Sequence, residues 1–142
     1  MHRIHNLVVT SICGLLAACG AVVQTSSAHH STAMFDKSKI MVLDGTVVEL
    51  RWTNPHVHLV LNGTVKKGEP AAVWLIETTS PANLQRTGGW GRTALKPGDR
   101  VRVEFAPLRD DDARGGRLGK VTLVDTGQVF TTDYRDLEPD VK

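Results

Sequence analysis

The chain has 142 residues, with 17 Lys and Arg against 15 Asp and Glu and a formal net charge of +2. The charges are interspersed rather than blocked, which excludes the polyelectrolyte footprint of a nucleic-acid binder, and the length supports one domain. The two cysteines, Cys13 and Cys19, both lie in the apolar N-terminal stretch, which excludes a disulfide framework or a cysteine-ligated metal in the folded part.

Arg3 with His2 and His5 forms a short basic region, and Leu7 to Ala18 is an apolar run too short for a stable transmembrane helix. The pair reads as an export signal, and two cuts fit it. Ser26-Ser27-Ala28 carries the small residues that a signal peptidase reads, which makes 1–28 the signal peptide and starts the mature chain at His29. Leu16-Ala17-Ala18-Cys19 fits a lipoprotein box, which would place a lipid anchor on Cys19. Either way no transmembrane segment is expected after processing, and the expected location is the periplasm, free or anchored in the envelope.

After a leader over 29–38, Lys39 to Trp52 reads as a long strand rich in β-branched residues, with Gly45 as its expected bulge. Asn54-Pro55 interrupts it, because proline cannot donate to a ladder. A second strand follows over His56 to Leu61 and ends in a turn at Asn62-Gly63. Ala72 to Thr78 makes a third, with Trp74 and Ile76 on one face. In Ser80 to Gly88, Ser80 is the N-cap, Pro81 the first helical residue and Gly88 the stop, giving a helix of about two turns. The Lys96-Pro97-Gly98-Asp99 turn launches Arg100 to Phe105, whose alternation points Val101, Val103 and Phe105 inward. Arg109 to Gly116 reads as a polar loop, Leu118 to Val124 and Gln128 to Thr131 as further strands, and 132–142 as a loose charged tail.

Three strands, a short helix and two or three more strands is the layout of a mostly β, five- to six-stranded OB-like Greek-key barrel over 39–131, with the helix between strands three and four. A small β-sandwich is the alternative. Trp52, Trp74 and Trp90 are expected to fill the barrel and its end.

Chemistry concentrates in the histidines. Four remain in the mature chain, His29, His30, His56 and His58. On a strand, His56 and His58 share a face, about 7 Å apart at Cα, while Val57, Leu59 and Leu61 take the core side. Such a pair is either a polar solvent-facing stripe or two imidazoles able to converge on one metal ion. An N-terminal His29 adds a free amine and its ring Nδ1, a chelate that suits copper, and His56 or His58 would supply a further nitrogen. Lipidation at Cys19 would remove that amine. Asp110, Asp111 and Asp112 lack the spaced pattern of a calcium loop. No cysteine nucleophile, G-x-S-x-G elbow or phosphate loop is present in the mature chain, so no enzyme is expected; a histidine base beside Asp36, Asp44 or Glu49 stays open, although nothing in the spacing asks for it.

Ala28-His29-His30-Ser31 through Met34-Phe35-Asp36, Gly45-Thr46-Val47-Val48 leading to Trp52-Thr53-Asn54-Pro55-His56-Val57, Ser80-Pro81-Ala82-Asn83-Leu84, Leu95-Lys96-Pro97-Gly98-Asp99, and Gly115-Gly116 before Val121-Thr122-Leu123 together resemble a group of small exported bacterial proteins, domain of unknown function 6152. The resemblance implies a domain starting at His-His-Ser after an ordinary signal, hence a cut after Ala28. It favours His29, His30 and His56 for a family-wide role, with His58 standing where an aromatic residue is usual. It implies no activity. The expectation is a non-enzymatic periplasmic protein that binds copper or another transition metal through His29, His30, His56 and His58. The alternative is a metal-free envelope module that holds a protein, peptide or glycan partner on the barrel face.

Overall fold

The structure is a computed structural model and describes residues 32–87 and 89–132. The export signal, Cys19, His29, His30, Gly88 and all of the tail beyond Thr132 lie outside the described residues. Thr32–Met34 forms a single 3₁₀ turn, followed by strands β1 (Met41–Arg51), β2 (His58–Thr64) and β3 (Ala72–Glu77), helix α1 (Pro81–Thr87), and strands β4 (Arg100–Pro107), β5 (Gly115–Leu123) and β6 (Val129–Thr131). The sheet order is β3-β2-β1-β4-β5-β6, and an additional parallel pairing of β3 with β5 closes five strands into a barrel. β6 is added antiparallel to β5, and the helix falls between β3 and β4 as the sequence predicts.

The inward stripes are those that strand periodicity selects. Leu43, Leu59, Leu61, Ile76, Val103, Phe105, Leu118 and Val121 lose all solvent contact. Full burial of each such side chain contributes about 1.5–3 kcal/mol relative to exposure. Trp74 meets Phe105 edge-on with ring centroids 5.8 Å apart. Trp90 packs on Phe130 at 5.1 Å and donates its indole N–H to the Thr131 carbonyl at 2.8 Å. Trp52 and Trp90 are buried and Trp74 partly so, which is the filling role expected of them. Helix α1 starts as its sequence dictates, with Ser80 Oγ accepting from Asn83 N at 3.3 Å, and sinks Leu84 into the same core.

Several boundaries differ from the expectation for identifiable reasons. The β1 bulge falls between Val47 and Glu49, whereas Gly45 stays in register opposite Gly63. These two glycines let β1 and β2 approach closely: a Cβ on Gly63 would lie 2.5 Å from the Asp44 carbonyl oxygen and one on Gly45 2.7 Å from that of Asn62. Asn62 and Gly63 are therefore strand residues, not a turn, and β2 runs on to Thr64. Gly115 and Gly116 likewise belong to β5, not to the preceding loop. They are the residues that sit against Leu75 and Ile76 where the barrel closes; a Cβ on Gly115 would be 2.8 Å from the Leu75 carbonyl oxygen, and one on Gly116 would collide with Phe105 and the Ala106 carbonyl. Thr132, expected in a loose tail, is buried with its hydroxyl donating to the Leu118 carbonyl at 2.7 Å.

Candidate functional site

Val57 decides how its neighbouring histidines project. Its side chain is fully buried, its N–H donates to the Thr79 carbonyl at 3.0 Å, and its carbonyl accepts from both Thr78 N and Thr78 Oγ1 at 2.9 Å. With Val57 pinned inward, His56 and His58 both emerge on the other side, each about a quarter exposed. His56 follows a cis Asn54-Pro55 peptide. The shared face anticipated from alternation is present, although only His58 lies within β2 proper.

What the two rings meet is Glu77. His58 pairs with it across the β2–β3 ladder, and Glu77 in turn lies opposite Arg117 across the β3–β5 closure. His56 Nδ1 is 2.6 Å from Glu77 Oε1, and His58 Nε2 is 3.9 Å from Glu77 Oε2. Arg117 Nη1 donates to Glu77 Oε1 at 3.1 Å and to the Thr78 carbonyl at 2.5 Å. The cluster is shielded, with side-chain exposure of 16% for Glu77 and 8% for Arg117. Burial holds the His58 pKa below its ordinary value, an effect that the Glu77 charge opposes and that His56 and Arg51 reinforce.

The sequence located both strand histidines but missed Glu77 and Arg117. The acids considered there are engaged elsewhere: Asp36 with Lys39 at 3.0 Å, Asp44 with Arg102 at 2.7 Å and Glu49 with Arg51 at 2.8 Å. A signal for Glu77 existed in the alternation Val73, Leu75, Glu77, which ends the outward stripe of a strand on a carboxylate. Nothing comparable marks Arg117, because the strand expected from Leu118 begins three residues earlier, at Gly115.

Among the described residues, no group of three or more His, Cys, Asp and Glu is disposed to hold a metal ion by itself. His29 and His30 lie outside the described residues. No described helix is long and apolar enough to cross a membrane. A second feature sits at the other end of the strands: a groove of about 550 Å³ lined by Asp44, Thr46, Arg100, Arg102, Thr122 and Val124, among others.

The family model described as "Family of unknown function (DUF6152)" matches residues 17–117, and the chain belongs to that family. No curated protein and no solved structure matches the chain.

Proposed function

Taking membership of this family as the premise, we propose that the protein is an exported, non-enzymatic periplasmic binding protein for a transition-metal ion, copper before others. Its ligands are the imidazoles of His56 and His58, joined by His29 through its amine and ring and by His30. The observation that supports this reading is that His56 and His58 leave the same side of the barrel and converge on one carboxylate, at 2.6 and 3.9 Å. Two imidazoles on one face need only one or two more nitrogen donors to complete a site, and an N-terminal histidine offers two at once. Copper is favoured over zinc because nitrogen-rich tetragonal sites suit it and it tops the divalent affinity series.

The test is native mass spectrometry followed by titration of cupric ion into the mature chain. A mass beginning at His29 with one copper retained is expected. His56→Ala and acetylation of the N-terminal amine should each weaken cupric-ion binding by tenfold or more while the fold survives. Unchanged affinity in both would overturn the reading.

A second reading has its own support. The 550 Å³ groove, more apolar than polar along its walls but edged by hydroxyls and paired charges, suits a ligand with both kinds of surface, such as a peptide or a glycan. A protein that retains no metal but loses partner binding in groove variants would favour it.

A further inference from the structure

We infer that Glu77, anchored by Arg117, is the positioning residue that decides which nitrogen of His56 faces a ligand. The inference rests on the metal-binding reading and deepens it. A neutral imidazole carries one N–H and one lone pair, and a metal takes the lone pair. Glu77 Oε1 lies 2.6 Å from His56 Nδ1, a distance at which an ionised carboxylate accepts from an N–H. A proton on Nδ1 meets this carboxylate and leaves the lone pair of the neutral ring on Nε2.

Glu77 can hold that role because it is itself held. Its Oε1 also accepts from Arg117 Nη1 at 3.1 Å, and the same Nη1 is fixed by the Thr78 carbonyl at 2.5 Å. Pairing across β2–β3 and β3–β5 sets Glu77 between His58 and Arg117 on adjacent strands, so the carboxylate's position is a property of barrel closure and not of a flexible loop. Arg117 further argues that Glu77 orients rather than ligates: a cation bound directly to this carboxylate would stand beside a shielded guanidinium of like charge. A carboxylate behind a metal-binding imidazole is the usual arrangement for fixing ring orientation and raising ligand basicity, and loss of such a partner costs 10–100-fold in metal affinity. The rival explanation is an ion pair that only ties β3 to β5, and it predicts no effect on the His56 ring.

The experiment reads the His56 tautomer by ring ¹⁵N shifts in the metal-free, full mature chain, and cupric-ion affinity by competition titration, in wild type and Glu77→Gln. A glutamine keeps the volume but can either accept from Nδ1–H or donate to a bare Nδ1. Wild type should show the Nδ1–H form, and Glu77→Gln should mix the tautomers and weaken cupric-ion binding by about tenfold. An Nε2–H tautomer in wild type overturns the inference even if no variant folds. So does a Glu77→Gln protein with unaltered tautomer and affinity. Absence of cupric-ion binding in wild type overturns the metal reading instead, and the two failures are separable because the tautomer is read without metal.

Discussion

Arg117 and Arg102 each stand beside a carboxylate on a neighbouring strand of the same barrel, yet their settings are opposite. Arg102 makes the better-looking contact, a two-point fork onto Asp44 at 2.7 and 3.0 Å, but its side chain is 60% exposed. Arg117 touches Glu77 through one nitrogen and is 8% exposed. Water substitutes for either partner in the first pair, and salt screens it. In the second pair, removing one member leaves a charge with little solvent to replace it. Shielding, more than hydrogen-bond count, is what separates a surface ion pair from a cluster that can hold histidines in place. The Arg102 end is accordingly read as an exposed groove wall and the Arg117 end as the candidate site.

The sharpest attack on that contrast is Glu77→Ala. It removes the carboxylate that Arg117 Nη1 meets at 3.1 Å in a shielded setting, and the expected loss is about 3–5 kcal/mol of unfolding free energy, read from urea denaturation. Asp44→Ala, the matching truncation at the other end, should move the urea midpoint far less, and high salt should erase the difference from wild type. Equal losses for the two truncations would break the comparison.

Next in size is Gly116→Ala, which tests whether barrel closure is what shields the cluster. An added Cβ would collide with the Ala106 carbonyl and the Phe105 ring, and overpacking of this kind costs about 1–3 kcal/mol. Because Gly116 is the neighbour of Arg117 and pairs with Ile76, the variant should also loosen the hold of Glu77 on His56. A stable Gly116→Ala protein with an unchanged His56 ring signal would show that the site does not depend on the closure.

How much of this was legible in the sequence follows from the range of the interactions. Alternation is a local property, and it placed Val57, Leu59 and Leu61 inward and the two histidines outward without any tertiary information. The helix was equally local, written in Ser80 and Pro81. Barrel closure was not local. Gly115 and Gly116 read as a loop because glycine weakens a strand, and their reason for being in one is the approach of Leu75 and Phe105, which lie some distance away in the chain. The same applies to Gly45 and Gly63, which read as a bulge and a turn until seen facing each other. Glu77 and Arg117 meet only through the parallel β3–β5 pairing, so half of the candidate site was hidden with the closure that creates it.

The smallest effect lies in acid and sets a shielded carboxylate against an exposed one. The carboxyl of Asp36 is held at about 2, below its ordinary 3.8, first by the Ser38 hydroxyl and then by Lys39. That of Asp44 is also lowered, first by its hydrogen bond from Arg102. A carboxylate whose pKa is depressed in the folded state stabilises that state above its unfolded pKa, and the contribution drains away as pH falls through the folded value. Both should therefore act fully at neutral pH, with the Asp36 share lost between about pH 3.8 and about pH 2. Asp36→Asn should flatten the acid limb of the stability curve in that window and leave it unchanged above pH 5 apart from a constant offset. The Asp44 share should also shrink with added salt, because its partner stands in water, whereas the Asp36 carboxyl is only 13% exposed and its hydroxyl contact is not screened in the same way. If salt removes both shares alike, exposure is not what distinguishes pairs in this barrel, and the contrast drawn between Arg102 and Arg117 loses its physical basis.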